Sequence, residues 1–65
     1  MSQLLDSYRR NAAAARLDAE RATLPNVRAR ALEAATRWLD LADRLEWVEE
    51  RTANRLASRA READL

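Results

Sequence analysis

Arginine is the residue type in this sequence with the most obvious binding chemistry. All 12 basic residues are arginines. A guanidinium group can hold two phosphate or carboxylate oxygens at once, so a row of arginines along a helix predicts a phosphate-binding ridge. The alternative is a solvated helix face, because acidic residues neutralise part of the row, as Asp40 does four positions before Arg44. The row consists of Arg30, Arg37, Arg44 and Arg51, seven residues apart, and then Arg55 and Arg59.

The least neutralised part of this row lies near the end of the chain. Few acidic residues follow Glu50, whereas Arg51, Arg55 and Arg59 fall in this stretch. If the protein binds nucleic acid, these three side chains are the expected contacts. A small nucleic-acid-binding regulator is therefore the alternative functional hypothesis. The balance of 12 basic and 11 acidic residues, a formal charge of +1, argues against a strongly electrostatic partner for the chain as a whole.

Two tryptophans stand out for different reasons. Trp38 falls in the middle of an apolar stripe, where a core aromatic is the expected role. Trp47 falls on the opposite side of the same helical pattern, among charged residues. An indole there predicts an anchor for a protein partner, with Arg44 and Arg51 able to stack on it. The alternative is a tryptophan that lies flat under long arginine stems.

Missing residue types limit the chemistry further. The sequence has no Cys, His, Lys or Gly. Without them there is no thiolate nucleophile, no imidazole base or metal ligand, no Schiff base and no glycine-rich phosphate loop. We therefore expect no catalytic residues, no metal, no cofactor and no enzyme activity.

Apolar runs are short throughout the sequence. None approaches the roughly 18 residues of a membrane-spanning helix, and Met1 to Leu5 lack the apolar stretch of a signal peptide. A membrane-surface helix is disfavoured by the mixed-sign polar face. We expect a cytoplasmic protein without membrane contact.

Strong helix formers dominate the chain, with 15 alanines and 10 leucines. The one natural break is at Pro25, which suits the first turn of a new helix. The sequence predicts a single domain over residues 1–65, with helix 1 at about 3–22, a turn at 23–25 and helix 2 at about 26–62. Ser2 is the expected N-cap of helix 1 and Thr23 that of helix 2. The fold class is all-α, an antiparallel helical hairpin with a long second helix.

Both helices carry apolar stripes. The seam of helix 1 has heptad spacing and mostly small residues, and folding about residue 24 brings Ala12 and Ala15 opposite the region of Trp38. The stripe of helix 2 is wide enough to face two neighbours. The residues expected to form a self-association core are Tyr8, Ala12, Ala15, Trp38, Leu41, Leu45, Val48 and Leu56.

The unequal helix lengths predict an oligomer. Helix 1 reaches only to about residue 47 of helix 2, and no disulfide or metal is available to stabilise so small a chain. We expect self-association, with a dimeric four-helix bundle or coiled coil favoured, and docking of a protein partner on the free part of helix 2. Glu49 falls on the apolar stripe, where it either meets an arginine of another chain or faces water beyond helix 1.

Three sequence segments resemble a group of very small, uncharacterised bacterial proteins. Members have a first helix rich in Tyr, Arg and Ala, a proline turn and a second helix with a Trp-x-x-Leu-Ala core. The resemblance implies the helical hairpin and no particular activity. The expected hairpin architecture is also similar to that of the RNA-binding repressor-of-primer hairpin dimer. The segments are Tyr8-Arg9-Arg10-Asn11-Ala12-Ala13, Leu24-Pro25-Asn26-Val27-Arg28-Ala29-Arg30 and Trp38-Leu39-Asp40-Leu41-Ala42.

Overall fold

The protein is two helices joined by a short turn. A computed structural model describes residues 2–63 and places α1 at Gln3–Arg21 and α2 at Pro25–Ala63. The helices contact each other over the length of α1, forming a hairpin. Because α2 has 39 residues against 19 in α1, it is about 58 Å long and sets the long dimension of a molecule that measures 62 × 15 × 11 Å.

Helix α1 begins with the predicted cap. The Ser2 side chain accepts a hydrogen bond from the backbone N–H of Leu5 at 3.2 Å, which satisfies one of the free donors of the first turn. Asp6 stands in that same turn, where the positive end of the helix dipole favours its charge. At the other end the N–H of Ala22 bonds to the carbonyl of Ala19.

The turn lies one residue earlier than predicted, at residues 22–24 rather than 23–25. Helix α2 begins at Pro25, so the N-cap position falls on Leu24, and the prediction of Thr23 as the cap was wrong by one residue. Leu24 supplies only its backbone carbonyl, which accepts from the N–H of Arg28 at 3.0 Å. The guanidinium of Arg28 donates to the carbonyl of Ala22 at 3.1 Å, so this side chain bonds a free carbonyl at the end of α1.

A seam of small residues holds the hairpin together. The buried residues among residues 2–63 are spaced seven residues apart on each helix, and most of them are alanines, which allows the two backbones to approach closely. Tyr8 packs on Trp38 with ring centroids 5.6 Å apart, a contact between the helices that the sequence did not predict. The buried residues are Leu5, Ala12 and Ala19 on α1 and Ala35 and Ala42 on α2.

Near the open end of the hairpin, an ion pair joins the helices. A guanidinium nitrogen of Arg9 lies 3.0 Å from a carboxylate oxygen of Glu46. Beyond this point α2 continues without interruption, and each of residues 51–63 is exposed. We call residues 51–63 the projecting segment.

Candidate interaction surfaces

One side of the hairpin exposes an apolar surface. Leu41 and Val48 are 40% and 51% exposed, and the half-buried Leu45 lies between them on the same side of α2. On α1, the exposed Leu4 lies one turn before Tyr8. The Tyr8–Trp38 contact joins the two sets. We call this surface the open apolar face, and it consists of Leu4, Tyr8, Ala15, Val27, Trp38, Leu41, Leu45 and Val48.

The structure divides the residues predicted as a self-association core into three groups. Ala12 is buried between α1 and α2, so its packing is within the chain. Leu56 lies in the projecting segment and is 61% exposed. The remaining six residues all belong to the open apolar face: Tyr8, Ala15, Trp38, Leu41, Leu45 and Val48.

The opposite side of the hairpin is different in character. Leu17 is 43% exposed there, and the exposed Leu39 is nearby. A shallow hollow between the helices on this side is also lined by charged Arg9, Arg16 and Glu20. Ionic side chains therefore interrupt the apolar surface on this side. On the open apolar face, the charged side chains stand at one edge, where Arg44 lies beside Val48 and Arg37 precedes Leu41 by one turn.

The projecting segment carries a different charge from the rest of the molecule. Its described residues include four arginines and one glutamate, a net charge of +3, whereas residues 2–50 hold eight arginines and nine acidic residues, a net charge of −1. The positive charge is therefore concentrated in the part of α2 that α1 does not cover.

The predicted nucleic-acid contacts lie together on one side of the projecting segment. Arg51, Arg55 and Arg59 line one shallow, open hollow on the surface of α2, together with the polar side chains of Asn54 and Ser58. Successive arginines are separated by one helical turn, about 6 Å along the axis. Within residues 2–63, no salt bridge involves any of the three arginines. We call Arg51, Asn54, Arg55, Ser58 and Arg59 the arginine ridge; Glu62 stands at its far end.

Trp47 adjoins the start of the arginine ridge. Its side chain is 57% exposed, and the guanidinium carbon of Arg51 lies 4.7 Å from its ring centroid, a cation–π contact. The predicted stacking of Arg51 is thus confirmed. Arg44 instead pairs with Asp40 at 3.0 Å, and it lines a small hollow with Trp47 and Val48.

Glu49 is the polar residue on the apolar stripe of α2. It is half-buried and lies seven residues after the buried Ala42, just where the covering by α1 ends. No salt bridge involves it among the residues that the structure describes. In the single chain, Glu49 therefore agrees with the second alternative, in which its carboxylate faces water beyond the end of α1.

The described residues contain no cluster of three or more potential metal ligands among His, Cys, Asp and Glu. Over the same range, no polar or charged residue is buried. Neither α1 nor α2 contains a stretch that is both long and apolar enough to span a bilayer.

No protein-family model matches this chain, and no curated protein or solved structure is significantly similar to it. The interaction surfaces therefore have to be interpreted from their own geometry.

Proposed function

We propose that this protein is a non-enzymatic interaction protein. It self-associates through the open apolar face and presents the projecting segment to a partner. The observation that carries the proposal is the contrast in packing within one chain. Four of the five buried apolar residues within residues 2–63 are alanines, whereas ten large apolar side chains in the same range are exposed, including Leu41 and Val48.

Self-association is supported by the small size of the intrachain core. Burial stabilises a fold roughly in proportion to apolar area, about 25 cal/mol per Å², and an alanine contributes little of it. Two-helix scaffolds of this length usually need a further source of stability. The sequence has no cysteine to form a disulfide, so apolar contact with a second copy is the remaining source.

A two-fold arrangement suits the open apolar face. A symmetric dimer uses the same patch on both subunits, and pairing this face with itself buries Leu41 and Val48 of both copies at once. The product is a four-helix bundle in the hairpin part, with a coiled-coil-like seam. We favour a homodimer located in the cytoplasm, whose reducing conditions a cysteine-free chain tolerates.

In this dimer the projecting segment remains available. A protein partner would use Trp47 with Arg44 and Arg51, since exposed tryptophan and arginine are enriched among residues that dominate protein interfaces. A second candidate function is that of a nucleic-acid-binding regulator. It is favoured by the grouping of Arg51, Arg55 and Arg59 on one side of the projecting segment.

Two matched leucines test the self-association. Leu41 and Leu17 have nearly equal exposure in the single chain, 40% and 43%, but only Leu41 lies on the open apolar face. We expect Leu41→Gln to weaken the dimer by about 2–4 kcal/mol, because the side chain is buried in both subunits. Leu17→Gln should leave the dimer unchanged. Sedimentation equilibrium over a micromolar concentration series measures both.

A helical wild-type monomer at high micromolar concentration would contradict the proposal. So would equal weakening by both substitutions, which would place the contact elsewhere. Circular dichroism at each concentration separates loss of association from loss of helix.

A further inference from the structure

We infer that the outer face of α2 from Trp47 to Arg59 binds single-stranded nucleic acid, with a base stacked on Trp47 and phosphates held by the arginine ridge. The inference rests on the proposed function in one respect, since it names the partner of the projecting segment. It does not require the dimer, because every side chain involved belongs to one helix.

The arginine ridge supplies the contacts to phosphate. Arg51, Arg55 and Arg59 lie on one side of the helix, around a shallow open hollow, and no salt bridge involves them among residues 2–63. Arg44, earlier in the same row, is paired with Asp40 at 3.0 Å. The three arginines of the arginine ridge also lie in the segment of net charge +3, whereas Arg30 and Arg37 of the same row lie in the hairpin part, where acidic residues outnumber arginines. Asn54 and Ser58 add neutral donors between them.

Trp47 supplies what an arginine row lacks, a stacking surface. More than half of its side chain is exposed, although a tryptophan is usually covered. Arg51 lies over one face of the ring at 4.7 Å. An incoming base can stack on the indole in place of this guanidinium, which then turns to a phosphate. Single-strand-binding proteins combine these two elements, an aromatic surface and a basic track.

The same geometry disfavours other polyanions. The bases of a duplex are stacked on each other inside the helix, so an indole on a convex helix surface gains no base contact from it. An acidic peptide can pair with the arginines but has no planar base for Trp47. A single strand alone uses both features, without sequence preference, because each base offers a stacking face.

Acidic neighbours limit the strength of the site. Glu62 stands at the end of the arginine ridge, and Asp43 lies beside Trp47. Three phosphate contacts on a single strand predict that log K falls with log salt at a slope of about −2. Raising salt fourfold should therefore weaken binding roughly 16-fold.

Tryptophan fluorescence tests the stacking directly. Titration of the full chain with a dodecamer of deoxythymidylate should quench the emission of Trp47 and leave that of Trp38, which packs against Tyr8 on the open apolar face, away from the arginine ridge. The variant Trp47→Phe retains an aromatic ring and should bind within about threefold of wild type, but without quenching. The variant Trp47→Ala should bind about 10-fold more weakly.

Charge variants test the arginine ridge. We expect Arg55→Gln and Arg59→Gln each to make the salt slope shallower by about 0.7. Arg30→Gln, an exposed arginine of the same row within the hairpin part, should leave the slope unchanged and serves as the matched control.

Three results would overturn the inference. One is binding of a duplex of equal length as tightly as the single strand, and another is an unchanged affinity in Trp47→Ala. The third is tighter binding of a polyglutamate peptide, which would indicate an acidic protein partner. Sedimentation of Leu41→Gln in the same buffers distinguishes the two proposals. If this variant is a monomer and still binds the dodecamer, the nucleic-acid site is supported independently of the dimer.

Discussion

Helix α2 has two regions that are both rich in alanine but differ in environment. The region from Pro25 to Glu50 lies beside α1, and its Ala35 and Ala42 are buried. The projecting segment continues the same helix, with exposed alanines at Ala53 and Ala57. Alanine spacing alone therefore does not define a core, because an alanine is buried only where another helix lies opposite it.

Charge follows the same division. The region beside α1 holds four arginines and six acidic residues, whereas the projecting segment has four arginines and one acidic residue. Two of the six acidic residues in the first region form salt bridges, Asp40 with Arg44 and Glu46 with Arg9. No salt bridge is formed by residues 51–63, so the arginines of the projecting segment are suited to an anionic partner rather than to packing against α1.

The largest effect is expected from enlarging an alanine in each region. Ala42→Leu adds volume at a site that is 3% exposed, and overpacking should lower the free energy of unfolding by about 1–3 kcal/mol. Ala57→Leu makes the same change in the projecting segment and should alter stability by less than about 0.5 kcal/mol. Thermal unfolding at one fixed protein concentration measures both.

Equal destabilisation by the two leucine substitutions would contradict the division of α2 into a packed and a free region. A fall in stability in Ala57→Leu alone would show that the projecting segment is packed in solution.

A smaller effect is expected at the N-terminus of α1. The Ser2 hydroxyl accepts from the N–H of Leu5, so Ser2→Ala should reduce stability by about 1 kcal/mol. Ser58→Ala removes the same hydroxyl from an exposed position of the projecting segment and should raise stability by a few tenths of a kcal/mol at most, since alanine is the better helix former. Urea titration followed by circular dichroism distinguishes them, and a neutral Ser2→Ala would rule out the cap as a source of stability.

Local features of the fold could be predicted from the sequence. Periodicity, Ser2 and Pro25 define the two helices, because each acts through its own neighbours in the chain. The Arg51–Trp47 stack and the Asp40–Arg44 pair could also be predicted from the sequence, since residues four apart lie on one helix face.

Contacts between the helices were harder to predict. The Tyr8–Trp38 packing and the Arg9–Glu46 ion pair depend on how far α1 slides along α2, and the heptad pattern permits several registers. The Thr23 prediction failed because capping depends on the exact first residue of the helix. For the candidate sites, the sequence identified the arginine ridge and most of the open apolar face, but it did not separate Ala12, which is buried within the chain, from the surface residues.

The smallest effect is expected from the ion pair between the helices. Arg9 and Glu46 are about half exposed, and pairs of this kind contribute about 0.2–1 kcal/mol. Glu46→Gln should therefore lower stability slightly, and the difference from wild type should shrink as salt screens the pair. Glu50→Gln, an exposed acidic residue one helical turn beyond on α2, is the control and should show no such salt dependence. If the loss of stability in Glu46→Gln persists at 1 M salt, Glu46 contributes through packing of its aliphatic stem and not through its charge. If Glu50→Gln loses as much stability, α1 covers α2 as far as the start of the projecting segment.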